Sequence, residues 1–273
     1  MTTAQPDVPA RPGRAATLAS RSLGAGRRII LVHGFTQSQA SWRHIAERLA
    51  ASFEVVTVDL PGHGDSSEIE PTDFVDAARL VGAVGGRASY VGYSLGGRLV
   101  LTLALEQPEL VDHLICVGAS AGIEAPDERA ARRHADGVLA DRLQHEDGDA
   151  AAFERFLDNW LAGPLFAHLT DEQSDRPARR RNRGRGLASS LRTAGAAEQA
   201  PSWSRLETLT MPVSIVTGER DTKFNALAEQ MVAAIGPNAT RLVVADVGHA
   251  VPFEAPDRFA DLVADELTTR SRP

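Results

Sequence analysis

Short apolar runs and longer stretches of helical character alternate along most of this 273-residue chain. Residues 28–32 (Arg-Ile-Ile-Leu-Val) open the pattern with an aliphatic, β-branched run, the texture of a strand covered on both faces. A helical segment is predicted from about 38 to 51, and a second buried strand over 55–58. A helix near 73–84 leads into a short apolar run that closes at Tyr90-Val91, and residues 95–105 form an unbroken helix-forming run. Pro108 stops that helix, and 114–118 read as a further strand. After a long interruption the alternation resumes with a strand at 213–217, a helix at 225–235, a strand at 241–244 and a closing helix near 256–267. Strands separated by helices predict an α/β fold, a doubly wound and mostly parallel sheet with right-handed crossovers.

Two stretches break the alternation. Residues 1–26 are rich in Ala, Pro, Arg and Gly without a usable period; they are predicted to be mostly disordered, with 17–23 able to form a short edge strand. From 124 to 205 there is no strand-like run, only polar, Arg-rich helical segments over 127–142, 149–161 and 175–192. An insertion between two strands of such a sheet lies over the strands' C-terminal ends, where ligands bind. The chain therefore divides into a core, 27–123 and 206–273, and a helical cap, 124–205.

Composition narrows the partners. The net charge of −7 offers no basic footprint for nucleic acid, and no run approaches the ~18 apolar residues of a membrane span. A single cysteine, Cys116, rules out an intrachain disulfide or a zinc–cysteine cluster. With no signal-peptide-like h-region near the start, the reducing cytoplasm is the default expectation. Lys223 is the only lysine, so positive charge resides in arginine, whose planar fork matches carboxylates. Nothing in the sequence fixes an oligomeric state.

The candidate chemistry gathers at Gly92-Tyr93-Ser94-Leu95-Gly96. Gly-x-Ser-x-Gly between a strand and a helix is the nucleophile-elbow pattern, which lifts the serine hydroxyl above the sheet on a strained turn. In this architecture a triad runs in the order serine, acid, histidine. Gly218-Glu219-Arg220-Asp221 follows a strand directly and supplies the acid, Asp221 with Glu219 as the alternative; Gly248-His249 follows the last strand. The other downstream histidines, His113, His134, His145 and His168, lie beside or within helices and read as surface residues. The oxyanion hole is expected from the backbone N–H groups of Leu95, next after the nucleophile, and of Phe35, in the loop after an early strand. His33 and His63 are read as structural. Arg98 stands one helical turn beyond Ser94, on the nucleophile's face. A guanidinium placed there would have its desolvation offset by a carboxylate and not by a neutral ester.

Together these residues resemble the α/β-hydrolase superfamily over roughly 28–267, through His33-Gly34-Phe35, Asp59-Leu60-Pro61-Gly62-His63-Gly64, the elbow and Gly248-His249. Narrower features are similar to one branch, the 2-succinyl-6-hydroxy-2,4-cyclohexadiene-1-carboxylate synthases of menaquinone biosynthesis. These features are residues 92–98, Gly218-Glu219-Arg220-Asp221 with Lys223-Phe224, Leu187-Ala188 with Leu191 and Gly195, Gln199, Trp203, and Glu128-Arg129-Ala130 with Arg132. The chain departs from that branch at 195–197, Gly-Ala-Ala in place of Gly-Thr-Gly. The resemblance implies a lyase that needs no metal or organic cofactor. Such an enzyme takes the proton beside a ketone and expels pyruvate from a small polycarboxylate bearing an enolpyruvyl ether. It implies Tyr93, Arg98, Arg132, Trp160 and Arg179 as substrate-binding residues. A serine hydrolase of an ester, lactone or carbon–carbon bond is the alternative, and a receptor without turnover a third reading.

Overall fold

The computed structural model describes residues 17–269. Seven strands form one sheet: β1 (Ser20–Leu23), β2 (Arg27–Val32), β3 (Phe53–Val58), β4 (Ala88–Tyr93), β5 (Val111–Val117), β6 (Val213–Gly218) and β7 (Ala239–Val244). Their order is β1-β3-β2-β4-β5-β6-β7, all parallel except β1, which pairs antiparallel with β3. The edge strand predicted within 17–23 is present. Ordered chain thus begins before residue 27, because Ala19 and β1 are tied down: Ala19 N–H donates to Ser66 Oγ and Ala19 C=O accepts from Asp59 N–H. Residues 1–16 of the proposed tail lie outside the described residues.

The period of two along the strands sorts their side chains onto two faces. Ile30, Val32, Tyr90, Leu114, Cys116 and Ile215 pack under α2 (Phe74–Gly85), α3 (Leu95–Glu106) and α8 (Thr222–Ile235). Ile29, Leu31, Val91, Ile115 and Val117 face α1 (Arg43–Leu49) and α10 (Pro256–Thr269), with Trp42 and Phe259 filling that side. Helices on both faces explain why the strands read as continuous apolar runs. Asp73 caps α2 through its carboxylate, which accepts from Asp76 N–H.

Between β5 and β6 lie α4 (Pro126–His145), α5 (Ala150–Leu161), α6 (Arg176–Arg179) and α7 (Gly184–Ala194). They share a small core of Leu143, Phe156, Leu157, Leu187 and Leu191, against which Phe35 and Trp160 pack. The single helix predicted over 175–192 is two helices. Asn182 breaks it: its side chain is buried and turned onto the core, donating to Thr36 C=O (2.6 Å) and to Arg179 C=O (3.0 Å) and accepting from Gly64 N–H (2.9 Å). A residue spent on core loops cannot continue a solvent-facing helix. The chain rejoins the core wall from Gln199 onward, where Gln199, Ser202 and Trp203 all bond to carbonyls of 120–122. Among the described residues no helix is long and apolar enough to cross a membrane.

His113 differs from its sequence reading. It lies in β5, buried, with Nε2–H donating to Ser214 Oγ (3.0 Å), whose hydroxyl donates in turn to Glu266 (2.6 Å). Both faces of β5 are covered, so its strand shows no polar–apolar alternation and the imidazole is a core group, not a surface one. His134, His145 and His168 are exposed.

Candidate active site

The elbow forms because glycine flanks Ser94 at the only places where nothing else fits. A Cβ on Gly92 would lie 2.4 Å from Gly96 C=O, and one on Gly96 would lie 2.2 Å from Val32 C=O. Ser94 itself is held at φ 52°, ψ −109°, a conformation L-residues rarely adopt and which persists only when the surroundings over-determine it. Ser94 N–H donates to Val117 C=O at 2.8 Å, and Ser94 C=O accepts from Arg98 N–H at 3.0 Å, so strand and helix together fix the turn.

Three strand ends deliver the triad. His249 Nδ1–H donates to Asp221 Oδ2 at 2.7 Å, which leaves Nε2 as the acceptor facing Ser94 Oγ at 3.4 Å. Both His249 and Asp221 are buried. Of the two candidate acids, Asp221 faces His249, whereas the Glu219 carboxylate is turned away to accept Asp246 N–H. Asp221 has a second task, accepting Phe224 N–H as the cap of α8, which sets the direction of its other oxygen. Two supports escaped the sequence reading. Gly118, at φ 55°, lies so close to the imidazole that a Cβ there would sit 2.9 Å from His249 Cε1. The short helix α9 (Val251–Glu254) brings Glu254 back to accept Gly248 N–H (2.6 Å) and Ala250 N–H (2.9 Å), bracing the backbone on both sides of His249. A four-residue helix has too short a pattern to be read from sequence.

The amides of Phe35 and Leu95 border the same cavity as Ser94, and neither donates to another described group. The loop carrying Phe35 is held from below by His33, whose Nε2 accepts Leu60 N–H (3.0 Å) while Nδ1–H donates to Gly34 C=O (2.8 Å). It is held from above by the cap: Thr36, a β-branched residue at φ 68°, receives Arg179 on its hydroxyl and Asn182 on its carbonyl. The left-handed turn at Thr36, beside the cavity-lining Phe35, is therefore held by both layers.

Burial holds His33 neutral, with its pKa down to about 4, and desolvation together with the His33 charge lowers His63 to about 3. A histidine in an unfolded chain titrates near ~6.5, so between that pH and about 4 the unfolded state binds protons that the folded state refuses. Stability should be complete above pH ~6.5 and fall with a slope approaching two protons as pH drops through this window. Imidazole nuclear magnetic resonance shifts should show His33 and His63 still neutral at pH ~5; titration of these two near ~6.5 would contradict this.

The cavity, about 410 Å³, is lined by all five residues proposed for substrate, Tyr93, Arg98, Arg132, Trp160 and Arg179. Arg98 forks onto the last carbonyls of α7, Ala194 and Gly195, both at 3.1 Å, and lies over the Phe74 ring. Desolvation lowers its pKa to about 9, helped by the charge of Arg132. Arg179 is buried, donates Nε–H to Ser174 C=O (2.7 Å) and has its pKa lowered to about 10, again chiefly by desolvation. Among the described residues neither has a carboxylate at salt-bridge distance, whereas Arg132 is paired with Asp136 (2.9 Å). Arg129 and Arg133 donate to Ala197 C=O, and Arg180 and Arg181 pair with Glu154 and Asp65 at the surface. Glu124 and Glu128 stand only at the exposed mouth.

A strained serine on an elbow, with a histidine and an aspartate from later strand ends bonded in line with it on a doubly wound sheet, defines a class of enzyme. A model of the alpha/beta hydrolase family matches residues 29–262, and the chain belongs to that family. It is similar to a putative 2-succinyl-6-hydroxy-2,4-cyclohexadiene-1-carboxylate synthase of Bacillus subtilis strain 168, 31% identical over 265 residues, covering 92% of this chain and 94% of the relative. The synthase of that name from Salmonella typhimurium strain LT2 is 32% identical over 248 residues, 88% of this chain and 93% of its own. Among solved structures, MenH from S. aureus superposes with a TM-score of 0.83 at 27% identity, over 92% of this chain and 98% of that one.

Proposed function

We propose that this enzyme is a carbon–oxygen lyase that eliminates pyruvate from 2-succinyl-5-enolpyruvyl-6-hydroxy-3-cyclohexene-1-carboxylate, giving 2-succinyl-6-hydroxy-2,4-cyclohexadiene-1-carboxylate in menaquinone biosynthesis. The observation that carries the reading is the pair Arg98 and Arg179, two desolvated guanidiniums on the Ser94 cavity with no carboxylate at salt-bridge distance among the described residues. Such charges are costly unless a ligand pairs with them, and a substrate with three carboxylates does so. The names borne by the relatives point the same way.

In this reading Asp221 fixes the His249 tautomer, and Ser94 passes its proton to His249 Nε2. The alkoxide takes the proton from the carbon beside the ketone, and the electron pair moves onto the ketone oxygen, held by the Phe35 and Leu95 amides. When the ketone re-forms, the electron pair passes through the ring C3=C4 double bond, leaving the 2,4-diene, and the carbon–oxygen bond to the enolpyruvyl group breaks. The departing enolate takes the proton held on His249 onto its methylene carbon and leaves as pyruvate. The deciding assay couples pyruvate release from this substrate to lactate dehydrogenase and NADH oxidation. One pyruvate per substrate consumed is the expected result; rapid hydrolysis of simple esters with no pyruvate would assign the site to a serine hydrolase.

A further inference from the structure

Gln37 is a buried amide with half of its hydrogen-bonding capacity assigned. Its Oε1 accepts Gly34 N–H at 2.9 Å, its own N–H donates to Gly34 C=O at 3.2 Å, and its carbonyl receives Asn182. Gly34 N–H fixes which way the amide faces, because a flipped amide would set two donors against each other. The remaining group, Nε2, is therefore a donor. It is buried, has no partner among the described residues and belongs to a side chain that lines the Ser94 cavity. Native structures rarely leave such a group unpaired without a functional reason.

The neighbourhood selects the chemistry. Gln37 follows Thr36, whose hydroxyl receives the Arg179 guanidinium, and Gln37 and Arg179 both line the Ser94 cavity, so a neutral donor and a buried cation share that cavity. Tyr93, packed against Gly34, completes that wall of the cavity. We propose that Gln37 Nε2 is a substrate-binding donor that works with Arg179 to hold one carboxylate of the substrate. This deepens the lyase reading and rests on it for the identity of the substrate. The sequence offered no signal for Gln37, since one glutamine in a loop is indistinguishable from any other until its acceptor is seen to be occupied.

Gln37→Glu isolates the donor. The substituted side chain keeps an oxygen to accept Gly34 N–H, but an anionic oxygen takes the place of Nε2. KM for the enolpyruvyl substrate should rise roughly ten- to hundredfold with kcat within about threefold of wild type. Calorimetric affinity for succinate should fall by at least about tenfold. Gln37→Met removes acceptor and donor together without adding charge, and its affinity for succinate should also fall, by less. If Gln37→Glu matches wild type in KM and succinate affinity, the amide serves only to brace Gly34 and the proposal is overturned. A loss confined to kcat overturns it too, because the donor would then act on the reacting oxygen or the loop. Failure of the lyase reading is separate: it appears in wild-type protein alone, as absent pyruvate release. Succinate affinity still tests Gln37 in that case, and a wild type that does not bind succinate overturns this inference as well.

Discussion

Ser94→Ala and His249→Ala should each reduce turnover by about 10⁴-fold or more, and the double variant should be little worse than either. The reason is geometric. Ser94 Oγ is a useful base or nucleophile only while His249 Nε2 accepts its proton, and the 3.4 Å separation makes the two a single proton-transfer unit. Residual activity would come from the Phe35 and Leu95 amides and from binding alone. Asp221→Asn should cost about 10³–10⁴-fold, because an amide facing Nδ1 permits the wrong imidazole tautomer. It should leave stability nearly intact, since Oδ1 can still accept Phe224 N–H at the start of α8. Near wild-type rates for Asp221→Asn, with Glu219→Gln inactive, would reverse the assignment of the acid. The position of Glu219 on Asp246 N–H argues against that outcome.

The second large effect is expected at the two unpaired guanidiniums. Arg179→Ala and Arg98→Ala should each lower kcat/KM for the polycarboxylate by about two to three orders of magnitude, the loss of a buried charge-assisted pair. Lysine should restore only part, because a point charge cannot reproduce a bidentate fork. The two variants should differ in stability. Arg98 closes the C-terminal carbonyls of α7, so its removal should also lower the melting temperature. Arg179 supports Thr36, so its removal should loosen the Phe35 amide and depress kcat as well as binding. A neutral ester such as p-nitrophenyl acetate separates these effects: it should be turned over slowly and hardly worsened by Arg98→Ala. Equal losses on both substrates would mean that Arg98 serves packing alone.

Arg98 shows how far a one-dimensional spacing argument reaches. Its place one turn past Ser94 put it on the nucleophile's side, and it does line the cavity. The spacing could not reveal that two of its nitrogens are engaged by a helix nearly one hundred residues away. Arg132 carries the resemblance in the cap, yet Asp136, one turn on, pairs with it. Of the three consecutive arginines 179–181, Arg179 is the one turned inward, while Arg180 and Arg181 pair with surface carboxylates.

The sequence by itself determined the layered sheet, because burial on both faces demands continuous aliphatic runs and parallel strands need long crossovers, here written as helical stretches between the runs. It determined the elbow, whose Gly-x-Ser-x-Gly spacing is legible within five residues, and the order of Ser94, Asp221 and His249 after β4, β6 and β7. Each of these is a local constraint repeated in a known order. Only the tertiary structure decided which carboxylate faces His249, that Glu254 and Gly118 hold the imidazole in place, and that Asn182 breaks a helix to clasp the oxyanion loop. Only there does Gln37 emerge as a donor with one side committed. Hydrogen bonds such as that between Ser94 and His249, 155 positions apart, leave no periodic trace in the chain, since a single side chain satisfies each of them and its neighbours remain free to vary.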